Sequence, residues 1–555
     1  MSKTVFFLAL IISSVLYSQN EFITIWQPSN DQSVNNVENV PFQSSNQQIW
    51  FPGIGTGYDI YWEEVNYPDH NGLLSNVTSA NQVLIDFGSP FNPNQNAATY
   101  RVKVSNGTGS FNQIRFLGDS NSSSGRTGDN YKIMAVTQWG NIAWQSMESA
   151  FSGCIYLDVT ANDIPDLTDV TSMKLMFSAC NSLVGNNTMS NWNISNVTSL
   201  QGTFSGCYLF NQPVGNWNTQ NVTDMSTTFF LAKEFNQPLA NWNTSNVLHM
   251  NAMFGSALKF NQPIGNWDVH NVLETELMFS SASAFNQPLN NWNTSSVQDF
   301  RNMFRSATSF NQPLSAWNTT AAQFMGGMFR NATSFNQDIS TWNTHNVELM
   351  DNMFNNAVSF NQNISNWNTS SVTTFSGMFS GAASFNQNLG SWNFPQLTSA
   401  LNMFTNSGIN CYNYDNTLFS WKQNTNTPSN INLGNAAPLV YSHTEAVTAR
   451  SYLIGIKGWT IFGDTPDEEC NRFLAVNETE SDTDVVIYPN PATELLYLKS
   501  SEKIVSLRIY DSAGRLVLSS KIYNQPISLH RLKPGNYFIE VKTALNTVVS
   551  KLIKK

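Results

Sequence analysis

The sequence predicts a multidomain protein with an N-terminal β-sandwich-like domain, a central α/β solenoid and a small antiparallel β-sandwich at the C-terminus. Three observations support this fold class. A tryptophan recurs every 25 residues through the middle of the chain, apolar runs with period two precede it, and short strand-like runs separated by Gly turns follow it. Each of these patterns predicts its own part of the fold.

The tryptophan repeat predicts stacked units over residues 131–404, because a fixed period of 20 to 50 residues is typical of solenoids. Within one unit, the apolar residues Val297, Phe300, Met303 and Phe304 have the spacing of one helical face. Pro313 then favours an extended segment. We therefore expect a short helix or helical turn and a short strand in each unit. The repeat core column is Trp192, Trp217, Trp242, Trp267, Trp292, Trp317, Trp342, Trp367 and Trp392.

Residues 19–120 contain short apolar runs, several of which alternate with polar residues as half-buried strands do. The predicted strands are Phe22–Trp26, Gln48–Phe51, Tyr58–Trp62, Val83–Phe87 and Tyr100–Val104. A small β-sandwich is the expected fold.

The two ends of the repeat array need caps, because an open coil leaves apolar surface uncovered. The diverged first units, which contain Cys154 and Cys180, fit an N-terminal cap, and residues 405–464 fit a C-terminal one. In the second cap, residues 446–454 are predicted to be helical and residues 459–462 to form a strand. An acidic linker, 465–484, precedes the last domain, 485–555.

Two repeated side chains each allow two interpretations. The Asn-Gln pair after each Phe, as at Asn286 and Gln287, is expected to form a ladder of amides between stacked units, and a row of ligand-binding amides is the alternative. The tryptophans are expected to be buried, and an exposed aromatic platform for sugars is the alternative.

Composition and charge narrow the classes of partner. Only 12% of residues are charged and the net charge is −11, which argues against nucleic acid because phosphate binding needs clustered Lys and Arg. Residues 1–18 have the Lys3 charge, the apolar stretch and the cleavage triplet of a secretory signal peptide. No later segment has the roughly 20 apolar residues that span a bilayer, so no transmembrane segment is expected in the mature chain.

The five cysteines predict no metal site, because no CxxC or Cys/His cluster is present. Cys411 and Cys470 lie on either side of the segment after the last repeat and are candidates for a disulfide in an exported protein. Sequence alone does not give the pairing. No cofactor is expected.

The phrase Val-x-x-Met-x-x-Met-Phe-x-x-Ala-x-x-Phe-Asn-Gln, repeated up to each Trp, resembles the BspA-type leucine-rich repeat of bacterial surface proteins. The resemblance covers about residues 131–464. It implies a leucine-rich-repeat-like solenoid of short strands and short helices with an adhesin-like surface role. The ligands of that family are diverse, so the resemblance implies no particular ligand.

The C-terminal residues are similar to the type A sorting domain of type IX secretion in Bacteroidota-like bacteria. The resemblance implies export across the outer membrane, contact with the type IX secretion machinery and, often, removal of this domain with attachment to surface glycolipid. The matching motif residues are Pro489, Asn490, Pro491, Gly514, Gly535 and Tyr537.

The leading functional hypothesis is therefore a secreted or surface-attached, non-catalytic binding protein whose solenoid contacts an unknown protein or glycan. The alternative is a secreted enzyme that degrades polysaccharide or protein and uses the repeats as a binding module. An enzyme needs a convergent set of carboxylates, histidines or metal ligands. The candidates are Asp163, Asp166 and Asp169 in the first units, Glu63, Glu64, Asp69 and His70 in the β domain, and the isolated His249, His270 and His345. We expect these carboxylate clusters to be solvated loops, and no catalytic residue is assigned.

Overall fold

The computed structural model describes residues 20–30, 44–116, 128–442, 444–467, 485–488, 490–500, 503–511, 514–521, 526–544 and 547–555. The predicted signal peptide, most of the linker, Cys470 and Pro489 lie outside these residues. The chain divides into two compact units, Met1–Leu439 with Thr448–Thr465, and Val440–Val447 with Pro466–Lys555.

The first unit begins with a β domain whose five predicted strands are all present. Its strands are β1 (Phe22–Trp26), β2 (Gln48–Phe51), β3 (Gly53–Glu64), β4 (Tyr67–Ser79), β5 (Val83–Asp86), β6 (Tyr100–Ser105), β7 (Ser110–Ile114), β8 (Ile133–Gln138) and β9 (Asp158–Val159). The main sheet has the order β4-β3-β6-β1-β8-β9, with β7 also on β3, and β2 pairs with β5. Phe51 of the small sheet packs on Trp26 and Phe111 of the large one, with ring centroids 6.0 and 6.1 Å apart.

The main sheet continues into the repeats. Strand β8, which the sequence assigned to the solenoid, pairs antiparallel with β1 and parallel with β9. The next bridge, Ala143 to Asp166, is already one between successive coils. The sheet therefore covers the N-terminal end of the stack. The diverged units belong to the stack itself, since Phe151 and Phe177 are stacked 5.5 Å apart.

Each repeat is one coil of a stack, and bridges between residues 25 apart, such as Asp299 to Phe324, connect neighbouring coils in parallel. Alternate backbone amides in the predicted helical segment donate to the next coil: Phe300 N to Phe324 O at 2.9 Å and Asn302 N to Gly326 O at 3.0 Å. The amides between them close tight turns, as Met303 N does on Phe300 O. A short helix or helical turn was expected here; the segment forms a run of tight turns and no α-helix, because these amides bond to the next coil and not to the residue four positions earlier. The expectation of a short strand at the Pro313 segment was wrong, since the parallel bridges between coils lie at the positions of Asp299 and Phe324 instead.

The coils turn through left-handed backbone positions, two in most units. Asn302 has φ 54° and Ser306 has φ 57°, and the equivalent positions one coil later are Gly327 at 64° and Asn331 at 57°. Glycine and asparagine adopt this region at low cost, whereas branched side chains do not. The one helix within the described repeats is a short 3-10 helix, Asn187–Asn191.

The stack ends in a non-repetitive cap. The segment after the last coil contains α1 (Cys411–Gln423), β10 (Asn432–Asn435), β11 (Val440–Tyr441), α2 (Thr444–Gly455), β12 (Thr460–Phe462) and β13 (Thr465–Pro466). Of these, β11, the start of α2 and the end of β13 belong to the second compact unit. The predicted helix at 446–454 and strand at 459–462 are confirmed by α2 and β12, and α1 was not predicted. Trp421 of α1 stacks on Phe404 of the last coil at 6.1 Å. Arg450 and Tyr414 both bond to the carboxylate of Asp464, with Arg450 Nε 2.7 Å from Oδ2.

The second unit contains the predicted small antiparallel β domain. Its strands are β14 (Val485–Tyr488), β15 (Leu495–Ser500), β16 (Ile504–Asp511), β17 (Leu516–Ser520), β18 (Ile527–Ser528), β19 (Gly535–Thr543) and β20 (Thr547–Lys554). They form two sheets, β14-β15-β18 and β17-β16-β19-β20. Leu496 of the first sheet and Ile509, Ile539 and Leu552 of the second share one buried core.

Candidate functional site

The nine repeat tryptophans lie inside the stack, where each is at most 3% exposed. Six neighbouring pairs stack with centroids 6.2–6.4 Å apart and planes within 12°. From Trp217 onward, each indole Nε1 donates to a carbonyl oxygen of the previous coil, as Trp317 does to Leu289 O at 2.9 Å. No sugar can lie on these rings, because neighbouring coils cover both faces.

The Asn-Gln pairs form the expected ladder. Asn286 Oδ1 accepts from Asn311 N at 3.0 Å and from Gln312 Nε2 at 3.1 Å, and the same two bonds recur along the stack. At the C-terminal end, Asn413 of α1 takes the place of the glutamine and donates to Asn386 Oδ1 at 2.9 Å. These amides therefore connect coils, and most of their bonding capacity is used within the fold.

The early aspartates support backbone turns. Both oxygens of Asp163 accept from Trp139 N at 3.0 Å, and Oδ2 also accepts from Gly140 N at 2.8 Å. Asp166 accepts from the Thr168 hydroxyl at 2.6 Å. Asp169 is exposed. The three carboxylates do not converge on one point.

In the β domain, Glu64 and His70 come together, with Nδ1 of His70 2.6 Å from Oε2 of Glu64. The Glu64 side chain is fully buried and also accepts from Phe91 N and Asn92 N, each at 2.8 Å. The Phe91 ring stacks on His70 at 4.4 Å. This pair holds the loop after β5 against the sheet.

Glu63 points to a different group of partners. Arg101 Nη1 lies 2.5 Å and Lys103 Nζ 3.2 Å from Glu63 Oε1. Burial opposes ionisation of Glu63, but hydrogen bonds and charge from Arg101 and Lys103 outweigh it and lower the pKa of this carboxyl. Asp69 stays exposed on β4.

The three isolated histidines occupy different places on the coils and do not meet. His249 Nδ1 lies 3.2 Å from Glu274 Oε2, His270 Nδ1 lies 2.8 Å from Asp268 Oδ1, and His345 contacts Asn368. Across the described ranges, no group of three or more His, Cys, Asp or Glu residues is placed to hold a metal ion.

One surface of the coils carries charged and aromatic side chains that differ from coil to coil, and we call it the ladder face. It is formed by other positions than the Asn-Gln ladder. It consists of the outward residues at the positions of Asp299, Arg301, Asn302, Arg305 and Ser306 in every coil. The bridge position within it reads Asp224, His249, Glu274, Asp299, Phe324 and Leu349 through the central coils, between Ser199 and Thr374. Two other columns also vary, at the positions of Gln298 and Thr308, whereas the remaining exposed positions mostly repeat Asn, Gln, Ser, Thr and Pro.

Charges on the ladder face are partly paired. Arg301 forms a fork with Asp299, with Nε–Oδ2 at 2.9 Å and Nη2–Oδ2 at 2.5 Å, and lies 5.3 Å from the centroid of the Phe324 ring. The hydrogen bond with Asp299 raises the pKa of Arg301. A hydrogen bond from Asn251, followed by His249, lowers the pKa of Glu274, whereas burial raises the pKa of Glu276. Variable residues at fixed repeat positions are visible in the sequence, but the sequence does not show that these ones share a face.

The predicted sorting residues hold the end of the last strand. Asn490 donates from Nδ2 to Lys551 O at 2.6 Å and accepts from Ile553 N at 2.9 Å through Oδ1. Gly514 has φ 77° in the turn between β16 and β17, and Tyr537 Oη donates to Lys533 O at 2.8 Å. Pro491 follows Asn490 through a cis peptide, and Gly535 begins β19.

Only one of the two cysteines of the predicted disulfide lies in the described residues. Cys411 is disulfide-bonded, and Cys470 lies outside the described residues, so their pairing stays a prediction. Cys154, Cys180 and Cys207 are buried thiols outside any disulfide, and Cys180 Sγ lies 3.1 Å from Phe151 O. Burial raises the pKa of the Cys180 and Cys207 thiols well above the ordinary value.

Two parts of the chain match known protein families. Residues 145–263, 235–340 and 314–421 match the family described as "Mycoplasma protein of unknown function, DUF285", and these matches together span just under half of the chain. No curated protein matches the chain. None of the described helices has the length and apolar character needed to cross a membrane. Residues 486–555 match the secretion system C-terminal sorting domain, so the chain carries a type IX sorting domain and is a protein for secretion or cell-surface attachment.

Proposed function

We propose that this is a non-catalytic, adhesin-like binding protein, exported by its sorting domain, whose ladder face contacts a protein or glycan outside the cell. We also propose that the coils are a variant of the BspA-type repeat, with tight turns where that family is expected to have short helices. The machinery of type IX secretion is its partner during export, as the sorting domain implies.

The kind of sequence variation on the ladder face supports this proposal, because it places acidic, imidazole and aromatic side chains on successive coils. Positions that hold coils together repeat strictly, because every layer must satisfy the same bonds: the Trp column, the Asn-Gln ladder and the Phe stacks. The bridge position on the ladder face is free of that requirement and changes from acid to imidazole to aromatic along the stack. A broad surface of this kind is typical of binding by repeat proteins.

A secreted hydrolase is the alternative, and the Glu64–His70 contact is the observation that favours it. A carboxylate and an imidazole at 2.6 Å could exchange a proton with a substrate. Two backbone amides already bond to the same carboxylate, however, which favours a structural role.

The proposal is tested by applying the purified protein to arrays of glycans and of host matrix proteins. A matched pair of variants locates the surface: Phe324→Thr with Leu349→Thr changes the ladder face to the Thr that stands at position 374, and Thr308→Ala with Thr333→Ala changes an exposed column outside it. We expect the first pair to weaken binding at least tenfold and the second to leave it within twofold. Silence on every array, together with measured hydrolysis of a polysaccharide or protein, would overturn the proposal in favour of the enzyme.

A further inference from the structure

The arginines of the repeat array are confined to one place. Residues 131–404 contain three, Arg301, Arg305 and Arg330, and all three lie on the ladder face of two successive coils. Such clustering is unexpected in a chain with a net charge of −11. It cannot follow from the repeat itself, because the equivalent positions elsewhere are mostly Ser, Gly, Asn and Thr.

Arg301 bonds to neighbouring side chains, whereas Arg305 and Arg330 differ from it. Arg301 bonds to Asp299 and lies over Phe324. Within the part of the chain that the structure describes, the guanidinium groups of Arg305 and Arg330 make no hydrogen bond or ion pair. Arg305 is exposed, and Arg330 is half-buried with its Nε enclosed and without a partner.

This arrangement is unfavourable for the protein alone. An enclosed donor without an acceptor loses its bonds to water and gains none in exchange. Two like charges at the same position of successive coils also repel each other. An anion lying across the two coils would offset the repulsion, because guanidinium groups bind carboxylate and sulfate through paired N–H donors.

The spacing of the coils indicates which kind of anion. Backbone bonds connect the coils at these positions, from Ser281 N to Arg305 O at 2.6 Å and from Ser306 N to Arg330 O at 2.7 Å. Hydrogen-bonded chains lie about 4.8 Å apart. A linear polysaccharide advances by a similar length for each pyranose ring. Carboxylates on one face of an extended peptide recur only about every 6.7 Å.

The neighbouring side chains have the chemistry of sugar recognition. Asn302, Asn331 and Asn356 lie on the ladder face beside the arginines, and Asn331 and Asn356 form a second amide column, with Asn356 Nδ2 3.1 Å from Asn331 Oδ1. Amides both donate and accept, so they pair with hydroxyl groups of either role.

We propose that Arg305 and Arg330 form a site for the acidic groups of a linear anionic polysaccharide that runs along the ladder face. The inference rests on the proposed binding function and specifies its ligand class. The carboxylate of a uronic acid and a sulfate ester share the required chemistry. An acidic protein segment is the competing ligand.

The test measures binding of the full chain to polygalacturonate, dextran sulfate, neutral dextran and poly-glutamate. The test variant is Arg305→Gln with Arg330→Gln. Its charge-matched control is Lys233→Gln with Lys259→Gln, two cations outside the ladder face of which Lys233 lies over the Tyr208 ring. A third variant, Arg305→Lys with Arg330→Lys, keeps the charge and removes the paired donors.

We expect the wild type to bind one or both anionic polysaccharides and not neutral dextran. The Gln variant should lose at least tenfold in affinity, the Lys variant should lose an intermediate amount, and the control should stay within twofold. Preference between polygalacturonate and dextran sulfate identifies carboxylate or sulfate as the group that binds.

Other outcomes would overturn the inference. Equal losses in the Gln variant and the control would indicate non-specific charge attraction. Tighter binding to poly-glutamate than to either polysaccharide would assign the site to acidic protein. Binding to a neutral glycan or matrix protein, without any to the anionic polysaccharides, would reject this ligand class and leave the proposed function standing. Silence on all probes and arrays would reject both.

Discussion

The indole nitrogen of Trp292 donates a hydrogen bond to the carbonyl oxygen of Ile264, 3.0 Å away in the previous coil. The same bond recurs from Trp217 to Trp392, and Trp421 of the cap continues it to Leu389 O at 3.1 Å. Trp192 is buried with its indole nitrogen unpartnered in the described structure. Each tryptophan after the first therefore contributes both apolar burial and a polar connection between coils.

The indole bond predicts that Trp292→Phe destabilises the protein by about 3 kcal/mol, because it creates a cavity and removes one of the two donors to the Ile264 carbonyl, the other being Trp267 N. Trp192→Phe removes a donor that has no partner, so its cost should be about 1–2 kcal/mol smaller. Urea unfolding of both variants measures the difference. Equal losses would show that the indole bond contributes nothing beyond packing.

The left-handed turns predict a second effect. Gly381 has φ 73°, and a Cβ there would lie 2.0 Å from Asn356 Oδ1, so Gly381→Ala should cost about 2 kcal/mol or more. Gly455 at the end of α2 has open space around its Cα, and Gly455→Ala should be neutral or slightly stabilising. Thermal unfolding compares the two substitutions. A loss at Gly455 as large as that at Gly381 would contradict the argument.

The lowered pKa of Glu63 predicts a pH dependence. A carboxyl whose pKa falls on folding stabilises the fold above its ordinary pKa of 4.5, and that contribution is lost as the pH falls through the lower folded value. Glu63→Gln should therefore lower the free energy of unfolding by about 1 kcal/mol at pH 7. It should change it by close to nothing at a pH where Glu63 is protonated in both the folded and the unfolded state. Unfolding in urea at pH 7, 5 and 3 checks this, with the exposed Glu348→Gln as control. A difference in unfolding free energy between wild type and Glu63→Gln that grows toward pH 3 would contradict the predicted direction of the pH dependence.

The cysteines predict a pattern of thiol titration. The three buried thiols outside the disulfide, with raised pKa values at Cys180 and Cys207, should not react with a thiol reagent in the folded protein. Denaturation without reductant should expose three thiols, and reduction should expose all five cysteines of the sequence. Five reactive thiols before reduction would rule out the predicted Cys411–Cys470 bridge.

The stacking of units could be predicted from the sequence because a 25-residue period has few physical solutions. The local conformation could not. Inward residues spaced as Val297, Phe300, Met303 and Phe304 are typical of a helical face, but a run of tight turns with left-handed corners buries the same positions. A helix and a run of tight turns differ in the acceptor of each backbone amide. In this protein alternate amides bond to an acceptor in another coil, which the sequence of one repeat does not reveal.

The site was predictable to a similar degree. The motif Asn490–Pro491 indicated the sorting domain, although only the structure shows that the Asn490 amide holds the last strand through Lys551 and Ile553. The significance of Arg305 and Arg330 was hidden for another reason. Their clustering is visible in the sequence, but neither belongs to a motif, and only the structure of the described residues shows that their guanidinium groups lack partners.

The Asn-Gln ladder has a consequence for the evolution of this protein. Because the upper and lower surfaces of every interior coil present the same amide, indole and phenyl groups, one coil can in principle be duplicated or deleted without altering the sheet at one end or α1 at the other. Each such event would move the two ends of the stack by about 4.8 Å and add or remove one row of the ladder face. The length of that face can thus change by unequal recombination between repeats, while the interfaces that stabilise it stay the same.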